Sequence, residues 1–253
     1  MRWGGSSGMK LSMPWIGPSQ SHVEPFAGIG LRTSEAGRAF LRRVHLFMSL
    51  GLGTTGLVAL ATVSSPTALG LIVSSPLLFF GLIIAELVFV VAFAPIATRV
   101  SAAAATAMFV GYAALTGVTF SVVFMQYTMA SIGSTFLVTG GMFAGLSAYG
   151  AVTKRDLASI GSFCIMGLWG LILGSIVNIF LGSPMLYWLT TFMGVIVFTG
   201  LTAYDTGKLR ALGAEVEAGE ARTKLALQGA LVLYLDFINL FLMLLRIFGR
   251  RRD

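Results

Sequence analysis

Charge is what this chain has least of. Only 11% of its 253 residues are Asp, Glu, Lys or Arg, against about a quarter in a soluble domain. That shortage excludes an ordinary soluble globular protein. Cysteine is almost missing as well. Cys164 stands alone in the middle of an apolar run, so no disulfide framework exists and the thiol reads as packing. The apolar–polar alternation of barrel strands is also absent, which leaves helices as the way to satisfy backbone groups in lipid. No secretory leader is expected, because the first apolar segment is too long and begins too far in.

What the chain does have is apolar length. Seven runs, about 41–63, 77–98, 102–125, 131–152, 158–181, 184–207 and 225–248, each reach the roughly 20 residues that cross a hydrocarbon core about 30 Å thick. The fold class is therefore all-α: a polytopic membrane protein, a bundle of seven transmembrane helices over residues 41–249, with no room for a second soluble domain. Residues 1–40 are rich in Gly, Ser and Pro and carry no sustained apolar run. They are expected to be a disordered cytoplasmic segment. Residues 250–253 form a basic tail.

The net charge of +7 invites a nucleic-acid partner, but its distribution argues for a bilayer instead. Arg32, Arg38, Arg42 and Arg43 precede the first run; Arg99, the pair Lys154 and Arg155, and the group Lys208, Arg210, Arg222 and Lys224 fall in alternate connections. The connections near 64–76, 126–130 and 182–183 carry no basic residue. This is the positive-inside pattern, and it places the N-terminus in the cytoplasm. GRRRD at 249–253 breaks the pattern. Either the last run crosses against the charge rule or it re-enters, and its length favours crossing. The connection at 208–224, with Glu215, Glu217 and Glu220 among its bases, reads as a solvated loop or a helical extension. Small residues at four-residue spacing, Gly140, Ala144 and Ala148, with Gly141 and Gly145 beside them and Gly170 and Gly174 in the next run, suit close helix approach. Pro95 should bend the second run.

Three acids lie inside spans: Glu86 near the centre of the second, Asp205 at the end of the sixth and Asp236 halfway along the seventh. An ionised side chain there costs at least about 2.5–3.5 kcal/mol on insertion scales, so each needs a partner, a proton or an ion. On the last span Gln228, Asp236 and Asn239 fall within an arc of about 80°, a polar stripe that should face protein or water. Asp236 could be plain interhelical glue, protonated and hydrogen-bonded to a neighbour. Counted from the run ends, Asp236 lies deeper than Asp205 by roughly 10 Å, so contact between them requires tilt or a later boundary. Should they meet, two anions cannot both ionise cheaply; the pair would share a proton or hold a hard divalent cation such as calcium.

The segments FTGLTAYDTGKLR (198–210) and ALVLYLDFINLFLMLLRIFG (230–249) resemble the signature of the Bax inhibitor-1 (transmembrane Bax inhibitor motif) family, in its bacterial form. The likeness extends through IIAELVF (83–89), AMFVGYAALTGVTFSVVF (107–124) and ASIGSTFLVTGGMF (130–143). Residues 1–30 match nothing in it. The resemblance implies seven helices with the last one central between two groups of three. It implies a pH-sensitive calcium leak whose paired aspartates on helices six and seven, here Asp205 and Asp236, sense protons. Glu86 corresponds to the family's helix-two glutamate, and Gln228 and Asn239 would line the pore beside it. The family's helix-two arginine, which latches an aspartate in the closed state, has Arg99 as its one candidate, about 220° round the helix from Glu86. Relatives restrain cell death in eukaryotes, and bacterial ones are linked to a membrane-bound AAA protease.

The chief reading is thus a calcium-permeable leak channel or transporter in the bacterial inner membrane, monomeric and without cofactor or enzymatic activity. A non-conducting regulator that binds membrane proteins, such as an AAA protease, is the alternative. An intramembrane aspartyl protease is weaker: such enzymes carry Gly-x-Gly before the second aspartate, and here Leu233, Tyr234 and Leu235 stand there. His45 could sense pH or simply sit at the headgroups. Asp156, beside Lys154 and Arg155, reads as a solvated loop charge.

Overall fold

The computed structural model describes residues 24–252, with side chains from Glu35 onward. Eight helices follow one another: α1 (Glu24–Val63), the short α2 (Pro66–Ser74), α3 (Pro76–Ala97), α4 (Ala102–Gln126), α5 (Met129–Val152), α6 (Ala158–Leu181), α7 (Pro184–Glu215) and α8 (Glu220–Phe248). All but α2 are long and apolar enough to cross a membrane. Local chemistry sets the breaks. Ser65, Ser75, Ser101, Thr128 and Ser183 each accept a hydrogen bond from a backbone N–H in the first turn of the helix that follows, which satisfies one of that turn's orphan donors. Proline stands in the first turn of α2, α3 and α7, where its missing N–H costs nothing. Gly182 ends α6 in the left-handed region at φ 59°.

α8 is the axle. Leu227, Leu233, Tyr234 and Leu240 on it are wholly buried, and it packs against α1, α3, α4, α5 and α7. The fifth span, α6, rests mainly on α7 instead. Hydrocarbon tails are as apolar as leucine, so burial against protein gives little hydrophobic gain here and close packing must hold the bundle. Glycine supplies that closeness, and of the four-spaced glycines singled out above only Gly174 does so, where an added Cβ would meet Thr190 Cγ2 of α7 at 3.2 Å. A Cβ at Gly140, Gly141, Gly145 or Gly170 would meet nothing within 4 Å. The tight crossings are elsewhere: a Cβ at Gly150 of α5 would strike the Ala203 carbonyl of α7, and one at Gly117 of α4 would strike Thr55 and Val58 of α1.

One boundary differs from expectation, and the 208–224 connection takes the helical one of its two readings. Residues 24–40, assigned above to a disordered segment, are helical, with Phe40 buried and Gly37 against the backbone of Arg210. Residues 1–23 lie outside the described residues. The 208–224 connection is almost all helix, α7 and α8 each running on to leave only residues 216–219 between them. Asp156 does more than sit in solvent: its Oδ1 accepts from the Ala158 N–H, the first of α6, at 2.9 Å.

The last helix runs the full length of the bundle without turning back. Beyond Phe248 the chain lies along the α4–α5 turn. Thr128 N donates to the Arg250 carbonyl at 3.0 Å, Arg252 N to the Gln126 carbonyl at 2.9 Å, and Arg250 N to Ser131 Oγ at 2.9 Å. The basic tail is thus strapped to the end of the bundle opposite the α7–α8 connection.

Candidate functional site

α7 and α8 run antiparallel, and their register follows from two glycines. Leu209 of α7 seats over Gly229 of α8, and Met243 of α8 seats over Gly194 of α7. In that register Asp205 stands opposite Leu233, so Asp236 is only about one helical turn away, roughly 4.5 Å along the axis. Side chains bridge such an offset. The carboxyl groups of Asp205 and Asp236 face each other within hydrogen-bond reach. The larger displacement counted from the run ends was too great because α7 continues to Glu215 and α8 begins at Glu220, which slides the true register.

Asp236 is 5% exposed, and Asp205 is half-buried. Among the described residues no donor reaches Asp236 Oδ2, and no cation forms an ion pair with either aspartate; the one salt bridge joins Lys224 to Glu220. Lys208 stands one turn beyond Asp205, and its ammonium lies over the Tyr204 ring at 5.8 Å. Two carboxylates about 4 Å apart repel by about 4 kcal/mol at an effective dielectric of 20. A pair held in contact by helix packing, with one oxygen unpartnered, can relieve that repulsion by sharing a proton or by admitting a cation. For calcium, which takes six to eight oxygens, two carboxyls furnish at most part of the shell, and water would supply the rest. No cluster of three or more His, Cys, Asp or Glu exists among the described residues.

Glu86 belongs to a separate polar group. Half-buried on α3, it accepts a hydrogen bond from Thr119 Oγ1 of α4 at 2.7 Å, so it points into the protein. Thr119 Oγ1 also lies 2.9 Å from the Thr116 carbonyl, so its single hydrogen serves one of the two acceptors at a time. Nearby, Tyr234 is buried with its hydroxyl 2.7 Å from Thr55 Oγ1; Thr55 donates to the Ala113 carbonyl, which makes Tyr234 the donor to Thr55. The remaining candidates have local duties. Gln228 Nε2 donates to the Ala94 carbonyl at 3.3 Å, satisfying an oxygen near the end of α3. Asn239 Nδ2 donates to the Leu235 carbonyl of its own helix at 2.8 Å. Arg99 is exposed in the turn after α3 and makes no side-chain hydrogen bond or ion pair among the described residues. In this state it latches neither aspartate, because it lies past the end of the helix.

One feature had no signal in the sequence. His45 Nδ1 lies 2.8 Å from the Leu41 carbonyl and Nε2 2.8 Å from Ser147 Oγ of α5; Ser147 Oγ lies 2.9 Å from Thr206 Oγ1 of α7, which donates to the Thr202 carbonyl at 2.8 Å. Four contacts run between two carbonyls that only accept. The two hydroxyls bring two hydrogens and a neutral imidazole one, so all four bonds form at once only when both ring nitrogens carry hydrogen. His45 is therefore no idle headgroup residue: it ties α1 to α5 and α7, next in sequence to Asp205.

A seven-span helical bundle with a half-buried and a buried carboxyl brought together on its last two helices defines the class of this molecule. The chain also matches the family model described as inhibitor of apoptosis-promoting Bax1 over residues 37–253, and it belongs to that Bax inhibitor-1 family. Among its relatives, the inner membrane protein YbhL of Escherichia coli K12 is 45% identical over 236 residues, covering 92% of this chain and 97% of the relative. An uncharacterized protein of Borreliella burgdorferi is 43% identical, covering 85% and 93%. The uncharacterized membrane protein SpyM3_0260 of Streptococcus pyogenes is 32% identical, covering 83% and 92%. The chain is a multi-pass membrane protein of this family.

Proposed function

We propose that this protein is a pH-sensitive cation leak, with calcium as the permeant ion, in a bacterial inner membrane. The observation that carries the reading is the buried contact between Asp205 and Asp236, with Asp236 Oδ2 lacking any donor. When the pair shares a proton, the two helices stay together and the site presents little charge. When that proton leaves, repulsion either separates α7 from α8 or draws in a divalent cation from the aqueous end of the bundle. Protons and calcium then compete for the same oxygens, and the flux depends on pH through this pair. Glu86, held by Thr119, serves as a second acidic group along the interior. Arg99, at the mouth, becomes a latch only in a state that carries it toward the pair. The N-terminus and the 216–219 connection lie in the cytoplasm, by the charge pattern of the connections, and the protein acts as a monomer. Calcium flux into proteoliposomes across a pH series tests the reading, with wild type beside Asp236→Asn. A wild-type flux that ignores both pH and the substitution would end it.

A further inference from the structure

α1 and α5 both lean on α7 and α8 and approach each other chiefly at His45, which meets Ser147 and Phe143. The space between them is a groove of about 1480 Å³. Its α5 wall is recessed by Ala144, Ala148 and Ala151, and Leu46 of α1 stands on the other side, 70% exposed. Its rim, at the end of the bundle where the α7–α8 connection lies, carries Arg38, Arg42, Arg43 and Arg222 against one carboxylate, Glu35.

Those guanidiniums lack an anionic partner among the described residues. Arg43 donates to Thr223 Oγ1 at 3.1 Å, and Arg222 donates to the Ala36 and Val216 carbonyls while lying over the Phe40 ring. Arg38 and Arg42 are exposed and donate to no group among the described residues. A planar fork of N–H donors matches phosphate oxygens, and a weakly hydrated guanidinium is the preferred cation for that contact. From Arg38 to Ser49 the groove follows α1 for about 16 Å, passing from charge to an aliphatic wall. Inorganic phosphate would satisfy the rim and leave the wall bare; a plain hydrocarbon would do the reverse.

We infer that the α1–α5 groove holds one anionic phospholipid, its phosphate on Arg38, Arg42 and Arg43 and an acyl chain along Ala144, Ala148 and Ala151. The excess of positive charge selects a net-negative headgroup over a zwitterionic one. Besides α7 and α8, the His45–Ser147 contact joins α1 to α5 here, and the lipid fills the space beside that contact. The inference is independent of the leak reading.

The test uses the full chain in phosphatidylcholine nanodiscs with phosphatidylglycerol added in steps, read by native mass spectrometry for retained lipid and by the thermal unfolding midpoint. Wild type should retain one phosphatidylglycerol and unfold at a higher midpoint, while soluble glycerol phosphate leaves the midpoint unchanged. The double variant Arg38→Gln/Arg42→Gln should lose the preference for phosphatidylglycerol over phosphatidylcholine. Ala148→Phe, at an exposed position where the larger ring fills open space, should lose the retained lipid with its arginines intact. Retention in both variants equal to wild type would overturn the inference. So would an equal shift from soluble glycerol phosphate, which would mark an anion site without a lipid.

Discussion

Leu209 of α7 lies directly over Gly229 of α8, where an added Cβ would come within 2.7 Å of its methyl group. That seat fixes the register which brings Asp205 to Asp236. Gly229→Leu should therefore destabilise the bundle by about 1–3 kcal/mol through overpacking, even though leucine is the better helix former. Leu209→Ala in the same chain should recover much of the loss, because the two positions share one space. Denaturant unfolding in detergent measures both; independent, additive losses would show that the seat does not set the register.

The aspartates should behave as one unit. Asp205→Asn and Asp236→Asn are each expected to remove most of the pH dependence of calcium flux. In either variant the amide donates to the remaining carboxylate and holds the contact at every pH. The double variant should add little to either single one. Flux assays from pH 5 to 8 decide it, and single variants that keep the wild-type profile would dismiss the pair as sensor.

Thr119→Val should cost about 1–3 kcal/mol of stability, since Glu86 would lose the hydroxyl that meets its carboxyl. Glu86→Gln should cost less than Thr119→Val, because the amide can still accept from Thr119 Oγ1. An order reversed in unfolding measurements would place Glu86's partner elsewhere.

Sidedness follows from the strap. In a Cys164→Ser background, Arg252→Cys and Ser183→Cys should react with a membrane-impermeant thiol reagent from one side, and Glu217→Cys from the other. With the N-terminus cytoplasmic, Glu217→Cys is the one shielded in intact cells. Labelling of Arg252→Cys and Glu217→Cys from a common side would contradict a full crossing by α8.

Much of this architecture was legible because lipid leaves a chain few options. Apolar length alone located all seven spans, and the polar stripe of Gln228, Asp236 and Asn239 marked α8 as an inward helix. What hydropathy could not supply was register. Whether Asp205 meets Asp236 depends on which side chain sits in which glycine notch, and the notches at Gly229, Gly194, Gly117 and Gly150 look in sequence like the idle glycines at 140, 141 and 145. The stripe itself dissolved into separate tasks: Gln228 serves α3, Asn239 its own helix, and only Asp236 faces the site. The line from His45 through Ser147 to Thr206 was invisible for a related reason. Serine and threonine are ordinary in membrane helices, and three distant hydroxyl or imidazole groups announce nothing until the helices are docked.

The central place of α8 carries a consequence for how the protein comes to exist. Of the seven spans it is synthesised last, yet α1, α3, α4, α5 and α7 all rest against it. Until it is inserted, the earlier helices have a vacancy where their common partner belongs, and Asp205 lacks the carboxyl that it faces in the finished bundle. Assembly must therefore wait for the final helix, with the preceding six held loosely or sheltered by insertion machinery. A ribosome stalled before residue 220 would leave a nearly complete set of spans that has no stable bundle to form.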